Sequence, residues 1–537
     1  MLNRQARRAA PAALGRKTLT AANRSRDRAY VLEMRDLKEK TIRGGAARLG
    51  SQVVSLALRT GALVVLARLL GPRDFGLVGM VTAFTGVLTW FRDFGLSAAT
   101  VQRSDITTDQ HSTLFWINVL LGALLALVTL MAAPAIAAFY HEPRLLLVAA
   151  VLGTAFLFNA MGIQHSALLQ RQMRFTAMAA ISLLSLAVGT AIAIGGAAIG
   201  YGYWALVANS VTTPLVASIG FWLATGWVPG MPNRCAGVRS VMHFGGTLTL
   251  NGIIAYVGFN ADKVIIGRFL GVDAIGIYGR GFQIVSIPTD NFNSAVGEVA
   301  FSALSRLQND PARLRSYFLK GFSFVLGLTL PITIACALFA DDLVLVLLGP
   351  KWRATTDIVR LLAPTIAVLA VINPMGWLIY SLGLVQRSLK IALVFAPIMV
   401  LGCMSGLPYG ASGVAFAYSA VMVLWVIPHV AWCVHGTPIF LGDIAAAVIR
   451  PLACGAAAGV VGYAARLMCG DFLSPLPRLV VESGVLAVTF FAMLVFVAGQ
   501  KALYLDLLRG LRGKPVRHRA DTPDGWTTEL PGKAATQ

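Results

Sequence analysis

The stretch VVLARLLGPRDFGLVG, residues 64–79, returns 200 positions later as VIIGRFLGVDAIGIYG, residues 264–279. Six of the sixteen positions are identical between the two copies: Val64 with Val264, Arg68 with Arg268, Leu70 with Leu270, Gly71 with Gly271, Gly76 with Gly276 and Gly79 with Gly279. Six identities at one constant offset exceed what a shared apolar composition gives. The two stretches therefore indicate an internal repeat, although two loops that converge on similar glycine-rich turns would also explain them.

Long apolar segments flank both copies of the repeat. Of the 537 residues, 57% are hydrophobic and 13% are charged, whereas a soluble protein carries about 45–50% apolar and about 25% charged residues. A mean hydropathy of +0.71 agrees with this excess, which excludes a soluble protein and predicts a polytopic membrane protein. At about 20 residues for each span, the pattern predicts fourteen spans near 46–70, 77–98, 113–133, 145–167, 176–199, 203–225, 241–266, 275–299, 317–340, 358–380, 389–407, 411–434, 444–467 and 478–498.

The position of the repeat within these spans predicts the architecture. One copy lies between the first and second spans and the other between the seventh and eighth, so six spans separate equivalent elements. Because six is even, the two halves share one orientation, as in transporters with parallel repeats about an axis along the membrane normal. The predicted fold is all-α, with two six-helix bundles and two extra C-terminal helices. The predicted divisions are a basic N-terminal segment 1–45, a first bundle 46–225, a linker 226–240, a second bundle 241–434, two extra helices 435–498 and a basic tail 499–537.

The formal charge of +21 would indicate nucleic-acid binding in a soluble protein. Here much of it lies in the two tails: residues 1–43 hold twelve Lys and Arg against four acids, and residues 499–537 hold seven against four. Cytoplasmic loops of membrane proteins carry an excess of Lys and Arg. We therefore expect both termini to be cytoplasmic and expect membrane lipid, with no nucleic acid, as a partner.

Seven further stretches carry a resemblance to a known family: EKTIRGG (39–45), VLARLLGPRDFGL (65–77), RDFGLSAATVQR (92–103), TLFWINVLLG (113–122), FSALSRLQND (301–310), LLGPKW (347–352) and NPMGWLIYSLG (373–383). In order and spacing, they resemble the polysaccharide transport family. Its members are Wzx-type flippases for lipid-linked oligosaccharides within the multidrug/oligosaccharidyl-lipid/polysaccharide superfamily, and the pattern is most similar to colanic acid exporter-like members. The resemblance covers about residues 35 to 500.

This resemblance implies two six-helix bundles around a central cavity that opens alternately to each side. The implied cargo is an oligosaccharide repeat unit on undecaprenyl pyrophosphate, moved from the inner to the outer leaflet of a bacterial plasma membrane. A downstream polymerase and the chain-length and export machinery are further implied partners, and no cofactor is expected. The family pattern begins shortly before EKTI, so we hypothesise that Met34 is the true start and that residues 1–33 are an extension. A genuine basic arm on anionic lipid is the alternative.

Charged residues inside spans are the strongest candidates for contacts with an anionic cargo, because a Lys or Arg at the bilayer centre costs about 2.5–3.5 kcal/mol even on an insertion scale. Arg59 lies eleven residues before the end of the first predicted span, which is about 16 Å deep at 1.5 Å per residue. It is predicted to bind the pyrophosphate or acidic sugars in the cavity. The alternative role, half of a salt bridge between helices, stays open.

Lys263 and Asp262, toward the outer end of the seventh span, and Arg280, one turn inside the eighth, are neighbours in the repeat. Lys263 and Arg280 are predicted to bind substrate at the outer mouth of the cavity. Asp262 and Glu298 are predicted to take part in ion coupling, since burial raises the pKa of a carboxylate. The alternatives are an internal ion pair, a snorkelling Arg280, and a Glu298 at the water boundary.

Other polar residues of the spans have two open interpretations. Arg92 and Asp93 are predicted to form a local pair that ends the second helix. Amides such as Asn159 and Gln164 fit a sugar path, and they fit interhelical hydrogen bonds equally well. The longest outward loop, residues 341–357, is predicted to dip into the membrane interface with Trp352 as an anchor.

Enzyme motifs are missing from the sequence. It has no CxxC among six cysteines, no HExxH and no GxxxxGK[ST], so metal sites and ATP hydrolysis by this chain are not expected. Two other functions stay open: a cation-coupled multidrug exporter of the same superfamily, and a membrane-embedded glycosyltransferase or polymerase. The latter would depend on Asp341 and Asp342, the only outward acidic pair.

Overall fold

The computed structural model describes residues 50–92, 107–232, 239–497 and 499, with the backbone alone for helical residues 108, 239–251, 288, 290–295, 298 and 471. The described chain is helical, as predicted, and contains fourteen long helices and one short helix. The helix Arg239–Arg306 is broken at Gly271, and its limbs 239–270 and 272–306 are named α7 and α8. The other helices are α1 Gly50–Leu69, α2 Pro72–Leu88, α3 Thr108–Tyr140, α4 Leu145–Arg171, α5 Phe175–Ala198, α6 Tyr203–Thr225, α9 Pro311–Leu338, α10 Ala340–Leu347, α11 Thr355–Ser381, α12 Val385–Gly406, α13 Gly410–Val434, α14 Leu441–Cys469 and α15 Pro475–Phe496.

Most of these helices are suited to cross a bilayer. Eleven helical stretches of the described chain are long and apolar enough to do so, and one of them, Val385–Val434, holds both α12 and α13. A helix satisfies its own backbone groups, which hydrocarbon requires. The limbs α7 and α8 are not among these stretches and carry charged residues such as Asp262, Lys263 and Arg280. They pack against α2, α11 and α12, so neighbouring helices surround much of these two limbs.

Successive helices run in alternating directions, which gives the molecule two faces. The face where α1 begins and α15 ends is called the near face, and the opposite face is called the far face. Ion pairs between helix ends that are distant in the sequence support this assignment: Arg73 pairs with Glu142 at the far face, and Arg315 pairs with Asp443 at the near face. The loops at the far face are 70–71, 141–144, 199–202, 271, 339–354, 407–409 and 470–474.

The first bundle is held by close helix contacts. Its α3 packs against α4, and α6 packs against both α4 and α5. The indole Nε1 of Trp222 on α6 donates to the carbonyl of Met161 on α4 at 2.8 Å. Small residues let helix backbones approach each other in membranes, and Gly162 lies directly against Ser218 here. Helix α2 packs mainly on α7 and α8, which joins the two bundles.

Helix α11 forms the centre of the second bundle. Most of its residues are buried, and it packs against α9, α13 and the limbs α7 and α8. The two extra C-terminal helices, α14 and α15, pack on each other and on α9, where Gly455 and Gly459 face the side chain of Ile334. The described helices therefore form the predicted two bundles plus two, while the exact residue boundaries of the bundles stay predictions.

Both copies of the repeat lie at helix junctions, as predicted. Gly71 precedes α2, and Gly271 breaks the long helix with a φ of 86°, a backbone conformation that glycine adopts without strain. Several helices extend beyond the predicted apolar segments: α2 begins at Pro72 rather than at 77, and α3 covers 108–140 rather than 113–133. Helix ends can continue past the hydrocarbon, where polar residues are tolerated, so hydropathy alone underestimates their length.

The predicted interfacial role of Trp352 is wrong. Its side chain is 0% exposed, and its Nε1 donates to the carbonyl of Ala67 at 2.8 Å. Ala67 lies in the last turn of α1, where carbonyls lack a helical donor, so the buried indole N–H and the helix end satisfy each other. The preceding residues of the predicted loop form α10, which packs against α9, α11 and α15.

Candidate functional site

The two copies of the repeat pack against each other at the far face. Gly76 on α2 lies against the carbonyl of Val272, and Gly276 on α8 lies against the carbonyl of Pro72. A Cβ atom at either glycine would overlap the opposing carbonyl. Each contact becomes the other when 200 is added to or subtracted from its residue numbers, so the bundles meet about a pseudo-two-fold axis. We call this reciprocal contact the far-face seal.

Aromatic and basic side chains of the second bundle extend the far-face seal onto the first. The rings of Trp352 and Phe75 meet edge to face, with centroids 5.4 Å apart. The Arg280 guanidinium carbon lies 4.2 Å from the centre of the same Phe75 ring. Nearby, Arg268 Nη1 lies 3.0 Å from Nδ1 of His141. The two bundles are therefore in contact at the far face.

Asp262 lies in a buried polar cluster of the second bundle. Its side chain is 0% exposed, and its Oδ2 accepts a 2.6 Å hydrogen bond from the Tyr278 hydroxyl, while Oδ1 has no partner among the described residues. Cys403 on α12 and Tyr418 on α13 are also buried and near enough to act on it electrostatically. A buried carboxylate needs a proton, a cation or hydrogen bonds to offset its loss of hydration, which is compatible with the predicted coupling role.

Lys263 lies beside this cluster. Its Nζ donates to Asn260 Oδ1 at 2.6 Å and lies 4.3 Å from the centre of the Phe282 ring. Arg280 faces the other bundle, as its contact with Phe75 shows. It donates to Gln283 Oε1, and its Nε is buried without a partner in the described part of the chain. The structure thus brings Asp262 and Lys263 together and places Arg280 at the far-face seal.

Within the described part of the chain, the structure shows no contacts that test the predicted roles of two site residues, Arg59 and Glu298. Arg59 lies on α1 with an exposed side chain, and it forms no ion pair or hydrogen bond with any residue that the structure describes. Its role as a cavity cation stays a prediction. Glu298 lies on α8, but its side chain is outside the described set, as are Asp93 and Met34.

Each bundle has a cavity in the half toward the near face, and a third cavity, of about 790 Å³, lies among α9, α11, α13 and α14. The near-half cavity of the second bundle has a volume of about 410 Å³, and its lining includes Phe259, Tyr380, Trp425 and His429, together with Trp90 from the first bundle. The cavity of the first bundle has about 280 Å³. The described structure therefore combines contact at the far face with open space in the near half.

The sequence interpretation missed one member of the smaller cavity. Arg92, just beyond α2, was interpreted as half of a pair with Asp93, yet it lines this cavity together with Asn159 of α4. The pair with Asp93 stays a prediction. All that the sequence shows of this cavity is that arginine and amide residues fall in the near halves of the second and fourth spans.

The outward acidic pair takes part in ion pairs. Asp341 Oδ2 lies 3.0 Å from both Arg360 Nη2 and Arg466 Nη2. Asp342 is 1% exposed, and its Oδ2 accepts from Arg478 Nε at 3.0 Å, with a second contact between Oδ1 and Nη2. Carboxylates that guanidinium groups hold in this way connect α10 to α11, α14 and α15. This arrangement argues against the glycosyltransferase or polymerase alternative, which depended on a free acidic pair.

Comparison with known proteins identifies the family. A profile described as "Polysaccharide biosynthesis protein" matches residues 65–357, just over half of the chain. The chain belongs to this family. The matched region includes the far-face seal and all of the repeat except Val64.

Curated relatives match 54–72% of the chain. The lipopolysaccharide biosynthesis protein WzxC of Escherichia coli (strain K12) is 26% identical over 398 residues, which is 72% of this chain and 80% of that protein. The teichuronic acid biosynthesis protein TuaB of Bacillus subtilis (strain 168) is 29% identical over 54% of this chain and 61% of its own. The succinoglycan biosynthesis transport protein ExoT of Rhizobium meliloti (strain 1021) is 25% identical over 58% of this chain and 63% of its own.

Two solved structures share the fold of this chain. The lipid II flippase MurJ in an inward closed conformation superposes with a TM-score of 0.67 at 12% identity, covering 87% of this chain and 100% of that one. An inward-facing multidrug resistance MATE family transporter of the MOP superfamily gives 0.59 at 13% identity, covering 75% and 98%. The protein is therefore a multi-pass membrane protein with a transporter fold.

Proposed function

We propose that this protein is a flippase for lipid-linked oligosaccharides. It moves undecaprenyl-pyrophosphate-linked repeat units from the inner to the outer leaflet of the bacterial plasma membrane, for exopolysaccharide, capsule or O-antigen synthesis. The two bundles open alternately to each side of the membrane around a cationic central cavity.

One observation carries this proposal: the far-face seal is built from two copies of one sequence. A joint of two equivalent helix junctions allows the bundles to part at the far face as rigid bodies, as in alternating access. In the present arrangement the bundles touch at the far face, and the cavities of about 410 and 280 Å³ lie in the near half. This is the geometry that a carrier loaded from the near face requires.

The relatives support the choice of cargo. Their names assign them to the synthesis of lipopolysaccharide, teichuronic acid and succinoglycan, and one is named a transport protein. A lipid-linked sugar has an anionic polar head that must cross about 30 Å of hydrocarbon, while its tail can remain in lipid. A path lined by cations and polar groups offsets the lost hydration of that head.

The basic tails support the orientation. The excess of Lys and Arg in residues 1–43 and 499–537 favours a cytoplasmic near face by the positive-inside rule. Lipid-linked units are assembled from soluble precursors on that side, so loading from the near face follows. Arg59, Lys263 and Arg280 are proposed to contact the anionic head, and Asp262 and Glu298 are proposed to couple the movement to an ion gradient.

Reconstitution into liposomes with lipid-linked oligosaccharide extracted from producing cells tests the function. We expect the wild-type protein to expose the sugar to a membrane-impermeant glycosidase on the opposite leaflet, and protein-free liposomes to protect it. Equal protection with and without the protein would overturn the proposed function.

Substitutions of Arg59 test the proposed mechanism in the same assay. We expect Arg59→Ala and Arg59→Lys each to lower the flipping rate at least tenfold at normal membrane abundance, and lipid-linked units to accumulate inside cells. Arg313→Ala is the matched control, because Arg313 is exposed at the near face and pairs only with Asp310 within the described chain. Full flipping activity of Arg59→Ala would exclude Arg59 as a residue that binds the cargo in the cavity.

A further inference from the structure

The smaller near-half cavity, in the first bundle, has many polar side chains in its lining. We call it the α4–α6 pocket. Five of the eleven described residues that line it have polar side chains: Arg92, Asn159, Ser166, Gln170 and Ser218. They come from α4, from α6 and from the chain just beyond α2, so three separate segments direct polar groups to one place.

The polar groups of the α4–α6 pocket are not used elsewhere in the described structure. None of the five side chains forms a hydrogen bond with a described residue, and Arg92 Nε is buried without such a partner. Ser218 is buried, while Arg92, Asn159 and Ser166 are half-buried and Gln170 is exposed, so water or a ligand can reach these groups from one side. Groups of this kind are retained where water or a ligand satisfies them.

Helix pairing does not explain these residues. Other side chains already join α4 to α6: Trp222 donates to the Met161 carbonyl at 2.8 Å, and His165 Nδ1 lies 2.8 Å from Thr225 Oγ1. The His165 and Trp222 rings pack with centroids 4.4 Å apart. The interhelical hydrogen bonds expected of polar residues in membranes are therefore made next to the pocket rather than by its lining.

The chemistry of the lining matches a sugar. Each amide of Asn159 and Gln170 both donates and accepts, as do the two serine hydroxyls, and vicinal sugar hydroxyls do the same. Phe221, which also lines the pocket, offers an apolar ring to the C–H face of a pyranose. Pockets for drug-sized ligands have about 300–1,000 Å³, so 280 Å³ fits about one sugar ring rather than a whole repeat unit.

We propose that the α4–α6 pocket binds one sugar ring of the lipid-linked oligosaccharide, and that Arg92 pairs with the negative charge next to that ring. This inference rests on the proposed function and adds a recognition site separate from Arg59, Lys263 and Arg280. That charge belongs either to the diphosphate or to an acidic sugar. The pocket lies in the near half, where the proposed function places loading.

The test measures flipping of extracted lipid-linked oligosaccharide in liposomes as a function of its concentration. We expect Asn159→Ala and Arg92→Gln each to raise the half-saturating concentration at least tenfold, with thermal stability and membrane abundance unchanged. Two variants are matched controls. Among the described residues, Asn209→Ala loses only the bond from Thr213 on the same helix, and Arg174→Gln loses only a bond to the Ala224 carbonyl.

Competition by sugar-free undecaprenyl diphosphate distinguishes binding of the sugar ring from binding of the neighbouring negative charge. Asn159→Ala should leave this competition unchanged, because the competitor has no sugar. Weaker competition in Arg92→Gln would assign the charge to the diphosphate, and unchanged competition would assign it to an acidic sugar. If both Asn159→Ala and Arg92→Gln were half-saturated at the wild-type concentration, the proposed sugar site would be wrong, while the proposed flippase function would still stand.

A binding measurement keeps the pocket testable if flipping itself fails. The oligosaccharide diphosphate, released from its lipid, is titrated against the purified full chain in equilibrium dialysis. We expect saturable binding by the wild type and at least tenfold weaker binding by Asn159→Ala. Absent flipping with intact binding would overturn the proposed function alone, and equal binding by wild type and variant would overturn the pocket.

Discussion

Gly76 and Gly276 allow the two bundles to approach closely because neither residue has a Cβ atom. Each glycine lies against a backbone carbonyl of the opposite bundle, Val272 or Pro72. Backbone cannot move aside as a flexible side chain can. Glycine at these positions is therefore required for the far face to close, and the repeat preserves it in both copies.

We predict that Gly76→Ala and Gly276→Ala each prevent full closure of the far face. The added methyl group would overlap a carbonyl, and core overpacking of this kind costs about 1–3 kcal/mol. Flipping should fall at least tenfold, and a cysteine placed beside the seal should react faster with an impermeant thiol reagent added from the far side.

Gly279→Ala and Gly79→Ala are the matched controls within the same repeat. A Cβ atom at Gly279 meets nothing within 4 Å, and one at Gly79 meets only the Ile275 side chain at 3.9 Å. Both controls should flip normally. Wild-type flipping and thiol accessibility in Gly276→Ala would contradict the role of the seal.

At the scale of elements, the two C-terminal helices are attached to the second bundle by charge as well as by packing. Arg478 on α15 holds Asp342 of α10, and Arg466 on α14 holds Asp341. Glu482, one turn after Arg478, is 0% exposed, and both its oxygens lack a partner among the described residues. The arginines therefore stabilise a site that contains two buried carboxyl groups.

We predict that Arg478→Ala destabilises the protein by about 3 kcal/mol, because removal of one partner leaves a buried charge unpaired. A thermal unfolding series in detergent, followed by intrinsic fluorescence, would measure the loss as a lower midpoint. Glu482→Gln in the same background should recover part of it, because an amide cannot place a second negative charge near Asp342.

Arg313→Ala serves as the control for this series, since its pair with Asp310 is largely exposed and exposed pairs contribute about 0–1 kcal/mol. If Arg478→Ala unfolded at the wild-type midpoint, the attachment of α14 and α15 would rest on apolar packing alone.

At the scale of the whole molecule, the proposed flippase needs a source of energy, and the sequence has no GxxxxGK[ST] motif. Asp262 is the buried carboxyl best placed to receive it, because its cluster joins α7 and α8 to α12 and α13 close to the far-face seal. Lys263 is adjacent in sequence and near enough to act on it electrostatically. Binding of a proton or cation at Asp262 would change the balance of charge where the bundles separate.

We predict that Asp262→Asn flips lipid-linked oligosaccharide at a rate independent of any imposed proton or sodium gradient. The amide keeps the size of the side chain and can accept from the Tyr278 hydroxyl, but it carries no charge. Liposomes with and without each gradient give the measurement, and Asn260→Ala next to Lys263 is the control. A variant that still responded to the gradient as wild type does would exclude Asp262 from coupling.

Much of this architecture could be predicted from the sequence because the bilayer imposes length and apolarity on every span. Composition predicted the all-α class and fourteen spans, and the repeat located the junctions at Gly71 and Gly271. Helix ends were less accurate, since polar residues continue helices such as α3 beyond the apolar core. The role of Trp352 was mistaken, because its partner Ala67 is 285 residues away.

The candidate site was also predicted only in part from the sequence. Charged residues inside spans, such as Asp262 and Arg280, are visible in the sequence because hydrocarbon makes them costly. The sequence by itself determined the class of the protein, its spans, and the two glycine junctions that repeat. Only the tertiary structure decided that those junctions seal against each other and that Arg92, Asn159 and Ser218 share one pocket, since such contacts join residues far apart in the chain and depend on how the helices pack.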